Sequence, residues 1–184
     1  GIDPYDVMSE KADKIAAGSD RLIYLPYLNG ERTPHLDPNC RGVFFGLSGV
    51  HKRAHLIRAV MEGVSYSLRD SVSILREMNI ETSEMTATGG GGRSFLWRQM
   101  LADNYHCPVK TIDNKEGPAL GVAILAGVGV GLFSSVPEAC DHLIHDRSMQ
   151  EPIQANSDVY DKYYPLYRKL YTDLKESFSE LATL

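Results

Sequence analysis

Cysteine is scarce in this chain and is not arranged for cross-linking. Cys40, Cys107 and Cys140 make an odd number with no Cys-x-x-Cys pair, which argues against a disulfide framework or a zinc knuckle as the organising device. The expected compartment is therefore the reducing cytoplasm. A basic excess is also missing: 19 Lys and Arg stand against 24 Asp and Glu, a net charge of −5. With no basic block interleaved with aromatics, nucleic acid and anionic membrane are excluded as the main partner. No apolar leader opens the chain, which is acidic and polar through Asp20. Repeats and low-complexity tracts are absent. From Gly117 to Pro137 there is no charge at all, a length that could span a bilayer. Pro118 and the glycines at 117, 121, 127, 129 and 131 point instead to a buried helix packed closely on a sheet.

What is present fits one domain, since 184 residues suffice to bury a core. Leu22 to Leu28 is an apolar, aromatic run that predicts a strand ending at the turn Asn29-Gly30. After a polar loop from Glu31 to Arg41, Gly42 to Leu47 predicts a second short strand. Ile57, Val60, Met61, Val64, Leu68, Val72, Leu75 and Met78 recur every three or four residues, marking one face of a long helix. Glu84 to Thr88 and Pro108 to Ile112 read as strands. Phe95, Met100 and Leu101 belong to a helix capped by Ser94. A small-residue helix is expected after Glu116, with Pro118 in its first turn. Ser135-Val136-Pro137-Glu138 opens another, through Ile144. Tyr160, Tyr163, Tyr164, Tyr167, Leu170, Tyr171, Leu174, Phe178 and Leu181 form a stripe on a terminal helix, disturbed at Pro165. These tyrosines are expected to pack as core with exposed hydroxyls. Strands alternating with helices give an α/β fold with a partly parallel sheet.

The feature that points to chemistry is the run Gly89-Gly90-Gly91-Gly92, which joins a strand to a helix. Glycine has no Cβ, so the turn can reach positive φ and let a flat or anionic ligand lie against main-chain N–H groups at the helix start. A tight β-to-α turn with no ligand fits the same residues. A P-loop would end in Gly-Lys-Ser/Thr, and a dinucleotide fingerprint would place a third glycine where Ser94 stands. Neither is met, so the loop suits the adenosine end of a nucleotide. Ser94 is both helix cap and candidate contact. Arg93 could cover a base, though a solvated arginine is the commoner outcome. His51 and His55 have the spacing of a zinc helix, but Lys52 replaces the glutamate that such a hydrolase needs. Neither that pair nor His142 with His145 is expected to hold metal. Glu31, Arg32 and Asp37 could hold their loop beside an interdomain cleft, though ion pairs that merely order a long loop are the favoured expectation.

Several segments carry a resemblance. Gly42-x-x-x-Gly46-Leu47, followed after seven residues by His55-Leu56-x-x-Ala59-Val60-Met61-Glu62, resembles the second signature of the FGGY carbohydrate kinases. Leu25-Pro26-Tyr27-Leu28-Asn29-Gly30-Glu31-Arg32-Thr33-Pro34-His35 and Thr88 to Asp103 are similar to its xylulokinase branch, with Gly92 where alanine is usual. Glu116 to Gly121 and Tyr164-Pro165-x-Tyr167-Arg168-x-Leu170-Tyr171 fit as well. The resemblance covers Leu22 to the end. It implies an actin-like ATPase (ribonuclease H-like) fold in which two domains close on ATP and a sugar. It also implies a nucleotide contact at Gly89, Gly90, Gly91 and Ser94, ATP with Mg2+, and phosphorylation of D-xylulose at its 5-hydroxyl.

Phosphoryl transfer needs an aspartate base, which the family carries in a Gly-x-Gly-Asp type motif absent from this chain. The expectation is that residues 1–184 are the C-terminal nucleotide-binding domain of a sugar kinase. Its first strands and its N-terminal sugar-binding partner domain would then lie upstream, and no catalytic or metal-binding residue is assigned. Were the chain active alone, Asp37, Asp103 and Asp113 would be the carboxylates to test. Exposed sheet edges would favour homo-oligomers. Other sugars of the family (ribulose, gluconate or another polyol) and a noncatalytic assembly module of the same fold remain alternatives.

Overall fold

The computed structural model describes residues 3–113 and 117–184. A first helix, α1 (Pro4–Asp13), is capped by Asp3 and precedes a short 3-10 turn at Ser19–Arg21. Strands β1 (Ile23–Leu25) and β2 (Val43–Phe45) pair antiparallel, with Tyr24 opposite Phe44. Helix α2 (Arg53–Glu77) follows, then β3 (Met85–Thr86), α3 (Gly89–Arg93) and α4 (Phe95–Tyr105). The remainder is β4 (Val109–Ile112), α5 (Gly117–Gly129), α6 (Val136–Leu143), β5 (Asp146–Gln150) and α7 (Gln154–Leu181). The second sheet has the order β3-β4-β5, parallel between the first two and antiparallel between the last two.

The expected strand at Leu22 to Leu28 is only three residues long, because Pro26 has no N–H to offer a ladder. Beyond it, Gly30 at φ +82 donates to the Tyr27 carbonyl and turns the chain. Helix α2 lies directly on β1 but does not bury the face that its period predicts: of that stripe only Met61 and Val72 are buried, Leu68, Leu75 and Met78 are exposed, and the inward face carries His55, Arg58, Ala59, Glu62, Gly63, Ser65, Tyr66 and Asp70 instead. At Gly63 an added Cβ would stand 2.2 Å from the Tyr24 carbonyl oxygen, so only glycine permits this approach. Gly46, in the signature segment, is fixed twice: φ is +86, and a Cβ would meet the Arg21 carbonyl at 2.5 Å.

Helix α7 runs unbroken through Pro165, which faces solvent while Tyr164 and Tyr167 on either side are buried. Their burial offsets the lost helix bond. Together with Tyr160, Leu170, Tyr171 and Phe178 they pack on Ile23, Leu25, Tyr27, Cys40 and Tyr66. The hydroxyls point inward, contrary to expectation: Tyr160 donates to Glu62, Tyr164 to Asp70 and Tyr171 to Asp37, while Tyr167 pairs with Tyr27. A buried phenol needs a partner, and here acids from earlier elements supply it.

Helix α5 also departs from expectation. Only Ile124 and Gly127 are buried, and its packing is against α6, with Val122 68% and Leu125 63% exposed. Glu116, quoted above as the opening of that helix, lies outside the described residues. The Ser135 cap holds, its hydroxyl accepting from the Glu138 amide. Among the elements not expected are α1 and the polar edge strand β5. No described helix is long and apolar enough to cross a membrane.

Candidate functional site

The glycine run does not form an open loop. It coils into α3, one helical turn, between Thr88 in extended conformation and Ser94, which breaks the helix at φ −73, ψ 119. Strand β3 delivers the chain to this point, the Ala87 amide donating to Lys110 on β4 at 2.8 Å. Gly89 takes φ +72 at the entry, a conformation that glycine alone adopts without strain. Thr88 makes no side-chain capping bond, so no side chain of the N-cap residue closes off the first amides of the turn.

The four glycines differ in what lies beside them. A Cβ at Gly89 or Gly90 would meet nothing within 4 Å. At Gly91 it would run into the Trp97 ring at 2.8 Å, and at Gly92 into the Ala87 carbonyl oxygen at 2.9 Å. Gly89 and Gly90 therefore face open space, and Gly91 and Gly92 are the packed face. At Gly91, one of the expected nucleotide contacts, the missing side chain makes room for Trp97.

Ser94 performs the capping expected of it, its hydroxyl accepting from the Trp97 amide at 3.3 Å. The same oxygen lies 3.3 Å from the Ser9 hydroxyl of α1. A hydroxyl has one proton and two lone pairs, so with Trp97 donating to it Ser94 keeps its proton for a ligand when Ser9 is the donor of that contact. Arg93 is exposed.

Sequence reasoning missed Arg98. It is buried, and its Nη1 donates to the carbonyls of Gly92 at 2.7 Å and Arg93 at 3.0 Å, while Nε donates to Gln150 on β5. Burial, aided by nearby Arg147, lowers its pKa. The available signal was its place four residues after Ser94, on the same side of α4.

Of the carboxylates weighed as fallback bases, Asp103 and Asp37 have structural partners. Asp103 accepts from the Ile153 amide at 2.7 Å, from Gln99 and from Asn156, which ties α4 to the start of α7. Asp37 accepts from the Asn39 amide and the Tyr171 hydroxyl. Asp113 is exposed. The loop carrying Glu31, Arg32 and Asp37 is ordered without the expected ion pairs: Glu31 and Asp37 exchange backbone bonds at 2.9 and 2.8 Å, and the Glu31 carboxylate accepts from the amides of Arg32 and Thr33. Among the described residues none of the three makes a salt bridge.

His51 and His55 each accept a backbone amide at Nδ1, from Ser48 and Lys52, so the Nε2 proton of each points to Asp20. Each ring thus terminates a turn. Among the described residues no group of three or more His, Cys, Asp or Glu side chains converges. Two shallow depressions, about 390 Å³ at Asp20, Arg21, Gly46, Ser48, Val50 and His51 and about 530 Å³ beside Asn29 to Arg32, Leu36 and Pro38, lie outside the glycine turn.

Comparison with known proteins places this arrangement. The model of the FGGY family of carbohydrate kinases, C-terminal domain, matches residues 3–130. The xylulose kinase of Staphylococcus epidermidis is 40% identical over 167 residues, covering 91% of this chain and 34% of that protein. The gluconokinase of Bacillus subtilis is 37% identical over 183 residues, covering 99% and 36%. The crystal structure of ligand-bound xylulose kinase from Lactobacillus acidophilus superposes with a TM-score of 0.88 at 31% identity, over 96% of this chain and 36% of that one. The α/β architecture is thus that of the actin-like ATPase-type C-terminal domain. The chain spans about a third of the length of the curated relatives it matches.

Proposed function

We propose that this chain, which belongs to the FGGY family of carbohydrate kinases, holds the adenosine end of ATP in an enzyme that phosphorylates a sugar hydroxyl. The observation that carries this reading is the open face of Gly89 and Gly90 at the start of α3, where backbone can approach a ligand with no side chain between them. Gly91 supports the turn through Trp97, and Ser94 fixes where α4 begins. The sugar is D-xylulose, phosphorylated at its 5-hydroxyl; the xylulose kinase relatives support this choice. D-gluconate is the second reading, favoured by the 37% identity to a gluconokinase along 183 residues.

ATP is the phosphoryl donor, and Mg2+ neutralises its terminal phosphates in such chemistry. The described residues do not offer a converging carboxylate set for that ion, so no step is assigned to it here. The base, the sugar contacts and the terminal-phosphate contacts are assigned to the N-terminal kinase domain that completes the longer relatives. Within this chain the work is binding and orientation.

The test is steady-state kinetics of the full-length gene product carrying these residues, with D-xylulose and D-gluconate each offered with ATP. A larger kcat/KM for D-xylulose is expected. Gly90→Val puts a branched side chain on the open face, where a Cβ meets nothing within 4 Å, and is expected to raise the KM for ATP at least about tenfold, leaving the sugar KM in place. A folded Gly90→Val enzyme with unchanged ATP KM removes the turn from the nucleotide site. Failure to bind adenine nucleotide at all would favour a noncatalytic assembly module.

A further inference from the structure

We infer that Arg98 is a positioning residue for the glycine turn, setting through it how tightly the nucleotide is held. The inference rests on the nucleotide reading of that turn. A helical turn of four glycines loses more conformational freedom on ordering than any other sequence would, and five residues are far too few to sustain a helix alone. An outside contact must fix it. Gly92 against the Ala87 carbonyl and Gly91 against Trp97 limit its position by packing. Arg98 alone among these neighbours engages polar groups of the turn, through Nη1 on the carbonyls of Gly92 and Arg93.

Those carbonyls are the negative end of α3, where a cation is favourable. Arg98 is only 9% exposed, and among the described residues it has no carboxylate partner. A buried charge is costly without compensation, and here compensation comes from backbone carbonyls and from the Gln150 side chain. Gln150 is itself tied to the Met149 carbonyl at 3.1 Å. The planar fork of arginine reaches β5 with one nitrogen and α3 with another, which a lysine ammonium cannot reproduce. The far end of α3 is thereby anchored to the sheet edge. Gly89 and Gly90 at its near end are presented to the ligand in one place, and a small displacement of such a loop is costly.

The test uses the full-length gene product, with ADP binding by calorimetry and kinetics in ATP and sugar. Arg98→Lys is expected to weaken ADP and raise the ATP KM about tenfold, with the sugar KM and the thermal midpoint little changed. Gln150→Met, which removes only the β5 anchor, is expected to give about a threefold loss in the same direction. It decides the matter if Arg98→Lys does not fold. A purely structural role would lower the thermal midpoint and impair both substrates alike, which overturns the inference. Wild-type-like ADP affinity in the folded variants also overturns it, while absence of ADP binding by the wild type overturns the nucleotide reading and this inference with it.

Discussion

Arg58 and Glu62, one helical turn apart on α2, meet inside the protein with Nε 2.7 Å from Oε1. The Tyr160 hydroxyl accepts from Arg58 at 2.8 Å, and Glu62 also receives the Gly18 amide and the Ser19 hydroxyl. This pair joins the segment before β1 to α2 and α7. Removing one member leaves the other charged and buried, so Arg58→Met is expected to cost about 3–5 kcal/mol, read from urea unfolding. Changing Glu62→Gln in the same chain should recover part of that loss. If the single variant is as stable as the parent, the pair is not what joins these three elements.

Helix propensity favours alanine over glycine by about 1 kcal/mol, so Gly63→Ala on α2 should stabilise if local preference governed. The Tyr24 carbonyl in its path makes separation of α2 from β1 the larger effect, and a net loss of about 1–2 kcal/mol is expected. Gly90→Ala, with nothing within 4 Å, should stay within about 0.5 kcal/mol of the parent. Thermal melts of the two side by side check the contrast.

His35 stacks on Tyr171, ring centroids 3.5 Å apart, and its Nε2 lies 3.2 Å from the Tyr27 hydroxyl. Burial lowers its pKa from the usual 6.5, outweighing the upward pull of Asp70 and Glu31. The unfolded chain therefore takes up this proton first as pH falls. Stability drops between the unfolded value and the folded one, and above 6.5 the residue adds no pH dependence. Between about pH 7.5 and about pH 5.5 the wild type should lose more stability than His35→Phe. Parallel slopes would contradict this.

Gly91→Val is expected to displace Trp97, the single tryptophan of the chain, because a side chain there meets the indole. Emission of the 184-residue chain should shift, and the full-length ATP KM should rise. An unchanged spectrum would mean that the turn and the indole are not in contact.

Val122 and Leu125 on α5, with Val130 and Leu132 beyond it, expose a run of apolar surface, and among the described residues β3 pairs only with β4. Patches and open edges of this kind associate. The 184 residues alone are expected to self-associate in sedimentation experiments. Val122→Lys with Leu125→Lys should reduce that association; a wild-type monomer at all concentrations would contradict the expectation.

The strongly periodic parts were legible before the structure. The period of α2 announced its helix though not the face it buries, which is largely polar; Ser94 announced its cap and the tyrosine stripe its helix, because each depends on neighbours within a few residues. What the sequence concealed depends on distant partners. Tyr160 meets Glu62 across 98 positions, so no local pattern says that its hydroxyl turns inward. Arg98 reads as a surface charge until the carbonyls of α3 and Gln150 are brought around it. Helix α1 has only Ala12 buried, and β5, Asp-Arg-Ser-Met-Gln, shows neither helical period nor clear alternation. At the candidate site the glycines were evident, but which of them faces open space depends on where Trp97 and Ala87 lie.

The inward hydroxyls of α7 also bear on how the chain comes into being at the ribosome. Asp37, Glu62 and Asp70 are all made long before Tyr171, Tyr160 and Tyr164. During that interval the nascent chain holds these acids without the phenols that later meet them, although Glu62 already has Gly18, Ser19 and Arg58 within the chain made. The early strands and α2 can gather but cannot seal. Closure of the tyrosine core waits for α7 to clear the exit tunnel, and until then a chaperone or a protease meets a half-assembled domain.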